Sequence, residues 1–285
     1  MATTPYDHIY LSPHLDDAVL SCGGMICAQA RGGARVAVVT FFAASPADDE
    51  LTPFTRDLKA RWGTAADPVA VRRAEDVAAV RALGAEAVHL PLADCVYRHS
   101  PHGDAYYPTV ETIFGDIHPA EATWHEGLRA ALLDAVGTAI CGAAICGAAT
   151  VYAPLGAGHH VDHLLVQRVA LSLAAASRAV LLYEDYPYAE DAAAIARAVG
   201  ALPARRWTRR VRAYGEPCLA ARMRAVACYA SQINTFWQDA AGRADLAAMR
   251  AALRRYALAV GGGRPGEGYW SLNRAGLSAA GVGQD

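Results

Sequence analysis

The order of β-type and helical segments constrains this chain more than any other feature. His8–Ser12 (HIYLS) is a short β-type run halted by Pro13; a helical pattern follows from about Ala18 to Ala30, and Gly32-Gly33 stops it. Arg35–Phe42 (RVAVVTFF) reads as a buried strand, rich in β-branched and aromatic residues. Strand, helix, strand in that order closes a right-handed parallel βαβ unit. The alternation continues with helix Val69–Leu83 capped by Gly84, strand Ala87–Leu90, helix Trp124–Val136, strand Thr150–Ala153, helix Val161–Ala175 and strand Ala179–Tyr183. Beyond these we expect a helix around Ala189–Val199, a strand pair around Trp207–Tyr214, and helices around Cys218–Ser231 and Ala244–Leu258. The pattern predicts one α/β domain over residues 1–285, a Rossmann-like doubly wound layer sandwich with a mostly parallel central sheet.

Composition narrows the function classes. With 54% apolar residues the chain can bury a substantial core. Its 26 basic and 28 acidic residues leave a net charge of −2, and no local Lys/Arg run offers a nucleic-acid surface. The segment MATTPYDHIYLSPHLDD lacks the basic and apolar parts of a secretory signal. Val136–Ala149, the most apolar low-complexity run, is too short to cross a bilayer and reads as a helix end followed by a buried connection or strand. The seven cysteines are odd in number and form no CxxC pair, which fits a reduced cytoplasmic protein with buried thiols.

Two stretches depart from the regular pattern. Residues 43–68 are irregular and carry three prolines, and Ala93–Ala120 turns polar and aromatic (DCVYRHSPHGDAYYP within it), the composition of a long functional loop.

The chemistry gathers at strand ends. PHLDD places His14, Asp16 and Asp17 where the first strand stops, and in open α/β sheets ligands bind beyond the carboxyl ends of the strands. A histidine and two carboxylates crowded there are costly to desolvate without a cation, and His plus carboxylate suits zinc. An Asp before a helix also commonly caps it, so the segment alone fits capping and metal binding equally. A second cluster, Gly158-His159-His160-Val161-Asp162-His163, also follows a strand and opens a helix. His160 and His163 share a face of its first turn, and Asp162 can fix the tautomer of an imidazole. A solvated helix start explains one histidine but not three with an Asp, so two such clusters on one sheet favour a shared metal site.

PHLDD followed by SCGG, with HVDH later, resembles the PIG-L/LmbE family of zinc de-N-acetylases, and Arg72-Arg73-Ala74-Glu75 through Leu83-Gly84 resembles the family's R-x-x-E…LG segment. The resemblance implies His14, Asp17 and His163 as zinc ligands, which Fe²⁺ or Co²⁺ could also occupy, and Asp16 as general base. It implies His160 as the group that stabilises the oxyanion in cationic form and protonates the departing amine, with Asp162 orienting His160. His159 receives no role. Arg72 is a candidate substrate contact, although an i,i+3 pair with Glu75 is the ordinary explanation of an arginine there. Asp185, beyond another strand end, is a candidate to reach the site or to contact a sugar hydroxyl.

The resemblance further implies a small-molecule amino-sugar glycoconjugate as substrate. HLDDAVLSCGG, YEDYPY and GEGYW look most like the bacterial natural-product members that deacetylate N-acetylglucosamine on a glycopeptide-antibiotic pseudoaglycone. An amidase of a thiol conjugate or of another non-sugar amide is the alternative. The aromatic loop Tyr97–Tyr107 with Trp207, Trp237 and Trp270 is a candidate platform for a ring-rich aglycone. The intact motifs disfavour a non-catalytic binding module, and a nucleotide-binding protein is disfavoured because SCGG is not a GxGxxG turn and no P-loop sequence occurs.

Overall fold

A computed structural model of the chain describes residues 5–46, 52–56, 67–140, 149–176, 179–203 and 207–272. The strands are β1 (His8–Ser12), β2 (Val36–Thr40), β3 (Glu86–His89), β4 (Thr150–Pro154), β5 (Ala179–Tyr183), β6 (Trp207–Ala213) and β7 (Gly266–Leu272). They form one sheet in the order β3-β2-β1-β4-β5-β7-β6. β1 to β5 run parallel, and β7 is antiparallel to both of its neighbours. The helices are α1 (Asp17–Arg31), α2 (Pro68–Ala82), α3 (Val110–Ile113), α4 (Trp124–Ile140), α5 (Val161–Ala175), α6 (Ala192–Ala201), α7 (Glu216–Val226), α8 (Ala230–Phe236) and α9 (Leu246–Val260).

The parallel strands read as near-continuous apolar runs because helices cover both faces of the sheet. Along β1 the pleat sends Tyr10 into the core shared with α1, α2 and α7, and Ile9 and Leu11 into the opposite core with α4 and α5. Val36 and Val38 against Ala37 and Val39 repeat that division on β2. The fold is thus the doubly wound sandwich expected. No helix among the described residues is long and apolar enough to cross a membrane.

Three expectations need correction. The strand pair around Trp207–Tyr214 is a single strand whose partner is β7, in register from Trp207↔Leu272 to Ala213↔Gly266. Eight residues cannot hold two strands and a turn, and the glycines of GEGYW conceal a strand whose pairing comes from far along the chain. The helix expected over Cys218–Ser231 is two, α7 and α8, separated near Ala227. α4 continues past Val136 to Ile140, and the remainder of the small-residue run, 141–148, lies outside the described residues. Cys22, Cys27, Cys95 and Cys218 are buried free thiols, as expected, while Cys141 and Cys146 fall in that undescribed segment.

The two glycines of SCGG have a packing reason. A Cβ on Gly24 would stand 2.2 Å from the Tyr214 ring, and one on Gly23 would stand 2.9 Å from Cγ of the buried Arg222. α7 and the residues before it therefore close onto α1 only because those two positions carry no side chain.

Candidate active site

β1 and β4 are neighbours, and the chain order reverses between them. Their carboxyl ends therefore open on the crevice where doubly wound sheets bind ligands. PHLDD leaves β1 there, and the GAGHHVDH turn leaves β4 beside it.

The turn after β1 is held by Ser12. Its Oγ accepts the Ala18 backbone N–H at 3.1 Å and donates to the His14 carbonyl at 2.7 Å. Asp17 Oδ2 accepts the His14 backbone N–H at 2.8 Å. Asp16 occupies the N-cap position of α1, yet its side chain makes no capping hydrogen bond. Capping, one of the two readings of this segment, is thus not what the Asp16 carboxylate does.

The turn after β4 needs two unusual backbones, Gly156 at φ 79° and His159 at φ 58°. A Cβ on Gly158 would stand 2.6 Å from the Tyr188 ring, so this glycine admits Tyr188, whose centroid is 6.1 Å from that of His163. The His159 side chain is half exposed and turns to Asp116 at 3.5 Å.

The two turns bring the expected residues together. Asp17 Oδ2 lies 3.1 Å from His14 Nδ1 and 3.3 Å from His163 Nε2, and His14, His160 and His163 each present a ring nitrogen within 4.8 Å of the others. The remaining nitrogen of each imidazole on Asp17 has its own carboxylate. His14 Nε2 is 3.1 Å from Asp162 Oδ2, and His163 Nδ1 is 2.7 Å from Asp185 Oδ1. Such outer carboxylates turn the opposite ring nitrogen toward a metal. Two imidazoles and a carboxylate, converging and individually oriented, form a cluster able to hold a divalent metal.

Asp162 therefore differs from its expected part. Its carboxylate faces His14, and its contact with His160 is through the backbone, whose N–H donates to His160 Nδ1 at 3.2 Å. That bond leaves Nε2 as the protonated nitrogen of a neutral His160, against the expected cation. Burial, followed by the charge of His14, pulls the His160 imidazolium well below its ordinary range.

Asp185 does reach the site, through His163. It is 1% exposed, and its Oδ2 accepts the backbone N–H groups of Gly156 and Ala157 at 2.8 and 3.1 Å. It faces the back of His163 and the turn, not a sugar hydroxyl. Arg72 reaches the cluster, with Nη2 3.6 Å from Asp16 Oδ2, while Glu75 places both oxygens on Ser231. The i,i+3 pair is not formed because the two side chains leave α2 toward different neighbours. The aromatic platform is absent as drawn: Tyr97 and Tyr107 are 4% and 2% exposed in a small core with Val161. Trp207 and Trp270 pack on one face of the sheet and Trp237 on the other.

Residues that the sequence left unassigned complete the site. Asp94 Oδ2 stands 3.6 Å from His14 Nε2. Arg98, 7% exposed, donates to Asp162 Oδ1 at 2.7 Å and to both Glu121 oxygens at 2.6 and 3.0 Å. The one signal for Arg98 was a charge inside the aromatic run of the 93–120 loop.

The electrostatics match the geometry. Burial pushes the His163 imidazolium down, but Asp17 and Asp185 outweigh it and lift the group to about 9. His14 is raised too, with Asp94, Asp162 and Asp17 overcoming its burial. The carboxylates thus attract positive charge to these rings, and a metal cation satisfies the same attraction. Asp17 is held well below its ordinary range by His163 and His14 despite burial. Asp16 goes the other way. Burial, and then the neighbouring Asp17, push it up to about 7, against the opposing pull of Arg72 and His14.

Comparison with known proteins agrees. Over 183 residues, 64% of this chain, it is 33% identical to a 2'-N-acetylparomamine deacetylase of Streptomyces fradiae. Over 194 residues it is 26% identical to the protein of that name from Niallia circulans. The chain spans 57% and 66% of the length of these relatives. The crystal structure of the zinc-inhibited form of teicoplanin deacetylase Orf2 superposes with a TM-score of 0.77 at 25% identity, over 95% of this chain and 99% of that one. The sequence profile of the PIG-L family, described as GlcNAc-PI de-N-acetylase, matches residues 9–174. That match covers more than half of the 285 residues and contains both the PHLDD and HVDH segments, so the chain belongs to the PIG-L family.

Proposed function

We propose that residues 1–285 form a single catalytic domain that hydrolyses the N-acetyl group of an N-acetylglucosaminyl unit carried by a glycoconjugate or secondary metabolite. The observation that carries this reading is the convergence of His14, Asp17 and His163 beside Asp16, a buried carboxylate poised near neutrality and free of capping duty. His14 Nδ1, Asp17 Oδ2 and His163 Nε2 would hold the metal, and the donor set suits zinc. When bound, the metal supplies Lewis acidity toward the amide oxygen and the attacking water.

The protein's own groups do the rest. Asp16 accepts the proton of the water as its oxygen bonds to the amide carbon. His160, neutral and protonated at Nε2, donates a hydrogen bond to the charge that develops on the carbonyl oxygen. A base that titrates near 7 also returns its proton readily, so Asp16, rather than His160, delivers it to the amine as the C–N bond breaks. Acetate and the free amine are the products. Arg72 and the partly exposed Asp94 border the cluster and suit hydroxyl groups of a sugar ring. The relatives' names point to acetylated amino sugars of antibiotics, and a glycopeptide pseudoaglycone is the bulky form of such a substrate. Buried free thiols are in keeping with the cytoplasm.

The test is a mass-spectrometric screen of the metal-loaded protein against 2'-N-acetylparomamine, N-acetylglucosaminyl pseudoaglycones and N-acetylated thiol conjugates. Loss of acetyl from an amino sugar, abolished in Asp16→Asn, is the expected result. Hydrolysis of thiol conjugates alone transfers the assignment to that class, and hydrolysis of none overturns it.

A further inference from the structure

We propose that Arg98 is a positioning residue of the metal centre, acting through Asp162 on His14; the inference rests on the metal-centre reading above. Every nitrogen of its guanidinium is assigned. Nη1 donates to Asp162 Oδ1 at 2.7 Å and to the Ala93 carbonyl at 3.2 Å, Nε donates to Glu121 Oε1 at 2.6 Å, and Nη2 donates to Glu121 Oε2 at 3.0 Å. Tyr107 steadies Glu121 by donating to Oε2 at 2.8 Å. The rings of Trp124, Phe42 and Tyr107 surround the guanidinium, with centroids 4.7, 5.2 and 5.3 Å from Cζ.

The consequence falls on Asp162, which is fully buried. With Oδ1 pinned by Arg98, the carboxylate can turn only a little. Its Oδ2 is thereby set to accept the Cys95 backbone N–H at 3.0 Å and to meet His14 Nε2 at 3.1 Å. A proton on Nε2 leaves the lone pair of His14 on Nδ1, the nitrogen that faces Asp17. A buried ionic triad is a poor choice for stability alone, because apolar residues of similar volume commonly do as well. An aromatic-lined pocket would have accepted one. The arginine stands there for the direction it imposes, and it ties the 93–121 excursion to the metal ligand.

Arg98→Met strands two buried carboxylates and endangers the fold, so Arg98→Lys carries the test: it keeps the cation but has one nitrogen for two partners. Metal affinity is measured without substrate, by chelator competition on protein shown to be folded by circular dichroism and metal-free Tm. Arg98→Lys should bind metal about tenfold or more weakly, at the low end of losses on removing an outer partner of a ligand. In an Asp162→Asn background the same substitution should add no further loss. Folded Arg98→Lys with wild-type affinity overturns the proposal, as does a full additional loss in Asp162→Asn. A wild-type protein that binds no metal overturns the metal-centre reading and this one with it; tight wild-type binding unchanged in Arg98→Lys overturns only the role of Arg98.

Discussion

Asp185 fixes His163 from behind, with Oδ1 2.7 Å from Nδ1 while Oδ2 takes two backbone N–H groups of the turn that presents His160. One carboxylate therefore orients the imidazole proposed as a ligand and shapes the turn that carries its neighbour. Asparagine cannot do both, because its amide offers one accepting atom where the aspartate offers two. Asp185→Asn should weaken metal binding by ~10- to 100-fold and lower activity in proportion at limiting metal. Chelator competition on the folded variant measures this, and affinity within twofold of wild type would refute the outer-ligand role.

The proposed roles let Asp16 separate binding from turnover. It lies outside the proposed ligand set, so Asp16→Asn should keep stoichiometric metal while turnover falls by at least ~100-fold, the contribution typical of a general base. Metal analysis and acetate release on one preparation provide the check, and full activity would remove Asp16 from the base role. The same variant has a stability signature. The folded carboxyl sits at about 7, well above its usual value near 4, so the stability it contributes is present below ~4 and is lost as pH rises toward 7. Metal-free Asp16→Asn escapes that loss. Its Tm advantage over wild type should be small at pH 5 and reach a few degrees at pH 8; a constant difference would contradict the assigned shift.

Arg72 offers a test of that tuning. Its guanidinium, 3.6 Å from Asp16, pulls the carboxyl down, as does any cation bound to the neighbouring ligands. In the loaded enzyme the acid limb of kcat/KM should therefore lie at or below about 7. Arg72→Met removes one of the opposing cations, so the limb should move up by roughly one pH unit. A limb that stays in place while KM alone rises would assign Arg72 to substrate binding without influence on the base.

The alternation of strand and helix was legible because the inner parallel strands β1, β2, β4 and β5 are largely buried and carry short apolar or β-type runs, so His8–Ser12 and Ala179–Tyr183 appear with their observed limits. The two antiparallel-paired strands at the far side of the sheet lack that signature. β6 is largely exposed and rich in arginine, and β7 opens on Gly266-Glu267-Gly268, so their pairing with each other was hidden. PHLDD and HVDH together pointed to a cluster able to hold a metal, because two groups of histidines and carboxylates at neighbouring strand ends exceed what capping explains. Which carboxylate serves which ring was not legible. Asp162 serves His14, 148 residues away, and Asp185 serves His163, 22 residues away. Only the packing of the turns decides such pairings, and the same is true of Arg98 meeting Asp162.

Gly24 sets two effects of opposite sign against each other. In a helix interior, alanine is ordinarily more stable than glycine by about 0.5–1 kcal/mol. Here the added methyl would stand 2.2 to 2.6 Å from three carbons of the buried Tyr214 ring, which must shift for it to fit. Overpacking of this kind costs about 1–3 kcal/mol, so the clash outweighs the helix gain. Gly24→Ala should therefore lower Tm, and Tyr214→Ala in the same chain should recover part of the loss relative to Tyr214→Ala alone. Because α1 carries Asp16 and Asp17 at its first turn, metal affinity should fall with the clash and return with its relief. Thermal melts of the four proteins close the cycle, and a Gly24→Ala variant more stable than wild type would show that Tyr214 is not packed on α1 as tightly as described.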